Sequence, residues 1–324
     1  MTAMRQALPG ANLVVLRRAE SSQPTDILNA AGAKIVSTME ELLRARPDLA
    51  VVASPATLHP SHVLNLVDYV STLLIEKPLA ATLEGAREIE AAVSRTDAKA
   101  VLGYHLRFSP TVLAAVSEVE AFCGEVVNFE LSVGQALDTW RLGADSSSSV
   151  SARRDLGGGV LLELSHELDA LRYLVGAGTK LKATLDTRGA PTDGLVESVA
   201  DIWIQTSSRT SGHVHLDMVS DPPFRTWRIL GSDAVVEADL LRGEVWRKNS
   251  DGEAGMVFKG PQGERAIAEA NLIQHVLDVW RGTHQPQCTL ADGVAALAMV
   301  EASRESAASG GLAVSVATVK EPME

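Results

Sequence analysis

The sequence predicts an α/β domain with a doubly wound parallel sheet, followed by an α+β domain with a mainly antiparallel, open-faced sheet. Three observations predict this. Between Asn12 and Tyr104, short continuous apolar runs alternate with amphipathic stretches. Beyond about Leu106 the apolar pattern switches to long period-two runs separated by Gly, Pro and Ser. At 324 residues the chain is about twice a typical domain, and 46% hydrophobic against 22% charged residues supply enough apolar side chains for sizeable cores.

The first half reads as strands near 13–16, 34–36, 49–53, 73–76 and 99–104, with helices near 26–31, 38–45, 59–70 and 83–94 between them. Its strands are continuous apolar runs, which implies burial on both faces and hence a parallel sheet covered by helices. In the second half an amphipathic helix is predicted over 160–175. Alternating strands follow, among them 196–206, 210–219, 226–230 and 235–239, and two helices over 262–281 and 290–306. Thr289 with Asp292 three residues on forms an N-terminal capping pattern for the last helix. The serine run 146–149 cannot pack an apolar face and is expected to be a mobile loop.

Composition excludes several functions. With 29 basic and 41 acidic side chains the net charge is −12 and no basic patch stands out, so neither nucleic acid nor an anionic membrane surface is an expected partner. Two cysteines, Cys123 and Cys288, form neither a disulfide framework nor a metal site, which suits a reducing compartment. No apolar run is long enough to span a membrane and Met1 to Gly10 lacks the apolar core of a signal peptide, so the expected location is the cytoplasm.

Four segments carry candidate chemistry. Val51 to His59 is a buried strand running into a Pro-containing turn and a helix, which places Ser54 and His59 where open α/β sheets collect ligands; the same residues also read as an ordinary turn and a helix-entry histidine. Leu73 to Leu79 ends an apolar strand at Glu76-Lys77-Pro78, where proline bars helical geometry at Lys77 and fixes the ammonium at a strand end. Gly103 to Pro110 puts His105 and Arg107 at the junction of the halves. Gly157 to Asp169 is a glycine-led helix with Glu163, His166, Glu167 and Asp169 on one polar arc, opposite Val160, Leu161, Leu164 and Leu168. Glu163 and Asp169 flank His166 and are placed to hold a ring nitrogen or raise its pKa, as a general base requires, although such a position alone more often carries a surface histidine.

Together these segments resemble the Gfo/Idh/MocA family of NAD(P)-dependent oxidoreductases. Trp140-Arg141 and Ser151-Ala152-Arg153-Arg154-Asp155 resemble its surface-polysaccharide and sugar-nucleotide branch. The resemblance implies a Rossmann-like dinucleotide domain over 1–106 and a substrate and oligomerisation domain over 107–324, with the last helix packing back on the first. It implies hydride transfer between a nicotinamide and a sugar, polyol or nucleotide sugar. Lys77 would orient the substrate hydroxyl and His166, with Glu163 beside it, would be the acid/base. Ser54, Pro55, His59, Glu76, Lys77, Pro78 and His105 would line the dinucleotide. Arg107, Trp140, Arg153, Arg154 and Asp169 would contact substrate. The family's frequent Asp four residues before the histidine is Leu162 here, and its frequent Asn is His105.

Relatives open with a strand and G-x-G-x-x-G, whose backbone N–H groups hold the pyrophosphate. Nothing of that kind precedes 13–16, which resembles the second strand, while Met4 to Gly10 resembles the tail of the helix after the loop. The expectation is a sheet with unpaired central edges. Two functions remain open on the sequence: a nicotinamide-dependent sugar oxidoreductase, or a cofactor-free relative that binds sugar, assembles with a partner or uses the His166 site for redox-neutral chemistry. Arg17 and Arg18 after the second strand tilt the cofactor towards NADP over NAD. His213, His215 and Asp217 share one strand face but lack a clear third ligand, so no metal is expected. A homo-oligomer through the open sheet face is expected.

Overall fold

The computed structural model describes residues 2–17, 25–140, 145–192 and 194–317. Arg18 and Arg141 lie outside them. The first half runs α1 (Thr2–Ala7), β1 (Val14–Leu16), α2 (Asp26–Ala30), β2 (Lys34–Val36), α3 (Met39–Arg44), β3 (Leu49–Val52), α4 (His59–Leu66), β4 (Thr72–Ile75), α5 (Leu83–Val93) and β5 (Lys99–Leu102). The second half runs α6 (Pro110–Phe122), β6 (Val126–Gly134), α7 (Val160–Glu163), α8 (His166–Leu174) and β7 (Gly178–Asp186). It continues through β8 (Val199–Thr206), β9 (Ser211–Asp217), β10 (Phe224–Gly231), β11 (Ala234–Asp239), β12 (Glu244–Asn249) and β13 (Ala254–Lys259), then α9 (Glu264–Trp280), α10 (Leu290–Ala308) and β14 (Val314–Ser315).

Every first-half pairing is parallel, β1 with β2 and β3 with β4 and β5. β1 does not pair with β3, so the described parallel strands lie in two pieces with the expected unpaired edges. Burial on both faces follows from which helices return. Leu73, Ile75 and Leu102 join the core under α4, α5 and α10, whereas the intervening Leu74 and Val101 pack against Leu272, Val276 and Val279 of α9. Both C-terminal helices therefore cover the parallel sheet. Gly293 on α10 admits Leu79 and Leu102 so closely that a Cβ there would meet them at 2.6–2.9 Å.

The second sheet has nine strands in the order β13-β12-β11-β10-β6-β9-β8-β7-β14, antiparallel except where β6 runs parallel to β9. Its inner face carries buried residues such as Phe129, Leu131, Ile202, Val214 and Trp227. The predicted strands of this half are present; β6, β7, β12, β13 and α6 add to them.

Two expectations need correction. The 160–175 helix is broken into α7 and α8 at Leu164–Ser165, where Leu164 leaves helical geometry (φ −103°, ψ 24°). Ser165 Oγ donates to Leu162 O at 2.9 Å and receives the Tyr104 hydroxyl at 3.2 Å, and such side-chain bonds compete with the helix ladder. The serine run is also structured: Ser146–Ser148 forms a 3₁₀ turn, with the Asp145 side chain accepting from Ser147 N. It leads into the 3₁₀ turns Val150–Ala152 and Arg154–Leu156.

Candidate functional site

Lys77 leaves the end of β4, whose four residues are all buried, through a cis peptide to Pro78. Its Nζ donates to the backbone oxygen of Glu163 at 2.7 Å and lies 3.5 Å from the Glu163 carboxylate. Glu163 is the last residue of α7, so the ammonium meets a carbonyl at the negative end of a helix turn. The chain then runs three residues to His166, the first of α8. The tip of a strand from the first half is thus tied to the segment of the second half that carries His166.

His166 is 5% exposed. Its Nδ1 is sealed from solvent with no hydrogen-bond partner among the described residues. The rings of His105 and Tyr104 stand edge-on to it, with centroids 4.7 and 5.3 Å away. Burial, then the nearby His105, Arg225 and Lys77, hold its pKa well below the ordinary value, so the ring is neutral. His105 is likewise lowered, to about 4, by burial and then Arg225. Glu76, beside Lys77, is pushed up by burial, and Gly103 leaves room for its carboxylate, since a Cβ there would lie 2.9 Å from Oε2.

The glycine triplet is required by close approach. Gly157 (φ +83°) lies against Ala56 and Ala81, a Cβ on Gly158 would meet Val150 O at 2.4 Å, and Gly159 (φ +108°) abuts Glu197. The turn carrying Arg154 consequently docks on the 3₁₀ turn Ala56–Leu58, which follows Ser54 and Pro55 at the tip of β3.

Several sequence expectations change here. The polar arc is not a solvated face: His166, Glu167 and Asp169 are 5%, 0% and 2% exposed. Neither flanking acid holds His166. Glu163 faces Lys77, and Asp169 accepts two bonds from Arg107 at 2.9 and 2.7 Å. Arg107 also approaches Asp292 at 3.2 Å, which in turn pairs with Arg172. Burial pushes the Asp169 carboxyl up to about 6 against the pull of Arg107. Arg107 and Asp169 thereby clamp the 3₁₀ turn His105–Phe108 to α8. His59 is 1% exposed and sits between the carbonyls of the two strand tips, with Nε2 2.8 Å from Ser54 O and Nδ1 3.2 Å from Leu79 O. Trp140 Nε1 donates to Gln135 O at 3.0 Å, and Arg153 pairs with Asp155 at the surface.

Sequence reasoning missed Arg225. On β10, it donates Nε and Nη2 to the two Glu167 carboxylate oxygens at 2.7 and 2.8 Å, while Trp227 Nε1 lies 3.4 Å from Oε1. The partners are 58 positions apart, so no local pattern joins them.

Residues 1–104 match an oxidoreductase family with an NAD-binding Rossmann fold, and residues 120–237 match the GFO/IDH/MocA C-terminal domain, together most of the chain. The chain belongs to the Gfo/Idh/MocA oxidoreductase family. Among its members, the rhizopine catabolism protein MocA of Rhizobium meliloti is 25% identical over 86% of this chain and 82% of its own. The 1,5-anhydro-D-fructose reductase of Ensifer adhaerens is 27% identical over 86% of this chain and 83% of its own. A levoglucosan dehydrogenase solved with NADH shares the fold, with a TM-score of 0.84 at 20% identity over 98% of this chain and 95% of that one. The residues present would fit the nicotinamide end of the family's cofactor: a half-buried carboxylate at Glu76, the Lys77 donor, and a neutral imidazole at His105. Among the described residues no group of three or more His, Cys, Asp or Glu is placed to hold a metal, and no helix is long and apolar enough to cross a membrane.

Proposed function

We propose that this chain transfers hydride between a nicotinamide and the hydroxyl-bearing carbon of a sugar or polyol in the Lys77–His105–His166 crevice. The observation that carries the reading is the Lys77 Nζ to Glu163 O bond at 2.7 Å, which joins the strand tip of the first half to the histidine-bearing segment of the second. Residues 1–106 serve as the cofactor half and 107–324 as the substrate half, with α10 packed on both.

A bound nicotinamide would supply the hydride acceptor or donor; Ser54 and Pro55 would line the dinucleotide, and Glu76 and His105 would lie near the nicotinamide and its ribose. Lys77 donates to the substrate oxygen and fixes it. His166, neutral and with its unsealed Nε2 edge available, takes the hydroxyl proton in the oxidising direction and returns it in the reducing one. The rings of Tyr104 and His105 keep water from the other side of the imidazole.

A second reading, a cofactor-free sugar-binding or assembly subunit, draws on the parallel strands lying in two pieces. Fluorescence titration with NADH and NADPH separates the two. Micromolar binding of either ends the cofactor-free reading, and no binding at millimolar concentration ends the hydride-transfer reading. Arg17 directly after β1 favours NADPH, so the tighter of the two tests the NADP preference. A homo-oligomer formed through the open sheet draws support from Trp203 and Trp246, 60% and 42% exposed on its strands, and sedimentation velocity tests it. Two buried free thiols, Cys123 and Cys288, suit a cytoplasmic setting.

A further inference from the structure

Arg225 of β10 reaches Glu167, the residue next to His166 in the first turn of α8, and its charge disfavours protonation of both His105 and His166. One edge is committed: Nε and Nη2 bind the Glu167 carboxylate at 2.7 and 2.8 Å. Glu167 is fully buried and immediately follows His166, so the guanidinium plane is locked to the same helix turn that carries the imidazole. The other edge, Nη1, makes no hydrogen bond among the described residues, and the side chain keeps 16% exposure. A pair of N–H donors is thus left beside the turn that carries His166. Its charge is already matched by Glu167, as that of Lys77 is faced by Glu163 at 3.5 Å. Glu76 adds a further carboxyl beside Lys77.

We infer that Arg225 is a specificity residue, a charge-compensated guanidinium whose Nη1 edge binds a hydroxyl next to the reacting carbon, and that the pair Arg225–Glu167 selects an uncharged polyol or sugar over a phosphate- or carboxylate-bearing one. The inference rests on the hydride-transfer reading of this site. Neutral hydroxyls need donors of fixed direction and no net charge, which this pair supplies. A phosphate or carboxylate entering a largely dry crevice needs an uncompensated cation to offset its desolvation, and the crevice cations described here already face carboxylates. Arg is suited to the task because its planar fork can be held on one edge and still donate from the other.

The test is calorimetric binding and nicotinamide-linked turnover by the full chain with two uncharged probes, myo-inositol and D-glucose, and two anionic ones, D-glucuronate and D-glucose 6-phosphate. The inference expects at least one uncharged probe to bind tenfold or more tightly than either anionic one. Equal binding, tighter anionic binding, or no binding of any probe overturns it. Glu167→Gln unmasks the Arg225 charge and is expected to tighten glucuronate binding at least tenfold over the unmodified chain. If it folds, with an unchanged cooperative melt, and shifts the preference less than threefold, the inference fails. If it does not fold, the comparison of probes on the unmodified chain decides alone. Arg225→Met is expected to raise KM for the uncharged substrate tenfold or more with kcat within threefold, whereas a merely structural residue would lower kcat as well. Binding of uncharged probes without any hydride transfer sustains the assignment of Arg225 and removes the hydride-transfer reading instead.

Discussion

Arg107→Met removes one member of a buried ion-pair network and leaves the other in place. Arg107 and Asp169 are 7% and 2% exposed at their side chains and joined by two bonds of 2.9 and 2.7 Å, with Asp292 at 3.2 Å as a second carboxylate partner. Without the guanidinium, Asp169 remains sealed in the interior without its hydrogen-bonded cation, whereas Asp292 keeps Arg172 and the Thr289 backbone and hydroxyl donors. Breaking a buried pair from one side costs about 3–5 kcal/mol, in line with two charge-assisted hydrogen bonds at about 1.5–3 kcal/mol each. The assay is chemical denaturation followed by circular dichroism. The double variant Arg107→Met/Asp169→Leu removes the stranded charge, so it is expected to recover at least half of the loss. A single variant costing under about 1 kcal/mol, or a double variant no better than the single, would refute the argument that charge burial and not packing governs this clamp.

Lys77→Met and His166→Ala are each expected to lower kcat by about 10²–10⁴ with the far-ultraviolet spectrum unchanged; near-normal turnover by both removes them from the chemistry. His215 has both ring nitrogens on carboxylates, Asp201 at 2.8 Å and Asp217 at 3.0 Å. Burial alone would lower its pKa, but the two acids outweigh it and raise it above 6.5. Because the folded value is the higher, this stabilisation is full below pH 6.5 and lost as pH rises through the raised folded value. His215→Gln is therefore expected to cost more stability at pH 6 than at pH 9, checked by melting temperature at each pH; an equal loss contradicts it. Gly159→Ala, at φ +108° and with Glu197 2.8 Å from the new Cβ, is expected to cost about 2 kcal/mol or more, read from the denaturation midpoint.

The parallel half was legible because strands buried on both faces must be continuous apolar runs. Leu73-Leu74-Ile75 shows why: its odd residues face α5 and α10, and its middle one faces α9. That these covering helices come from the far end of the chain was only partly legible, since periodicity reveals an apolar face and not the surface it meets. The helix over 160–175 misled for a related reason. Its polar arc looked solvated, but Glu167 and Asp169 are matched by Arg225 and Arg107, each about 60 positions away along the chain. Lys77 and His166 stand out because each sits at a local punctuation mark, a proline after a buried strand and a glycine triplet before a helix, and the structure brings Lys77 to the Glu163 carbonyl three residues before His166. His59 carried the same kind of signal, and burial turned it into a staple between backbone carbonyls.

The most direct measurement is a crystal structure of the full chain with a nicotinamide cofactor and a bound polyol such as myo-inositol. The account predicts one substrate oxygen within hydrogen-bond reach of both Lys77 Nζ and His166 Nε2, with a neighbouring hydroxyl on Arg225 Nη1. A polyol seated elsewhere, or Lys77 and His166 turned into separate spaces, would contradict it.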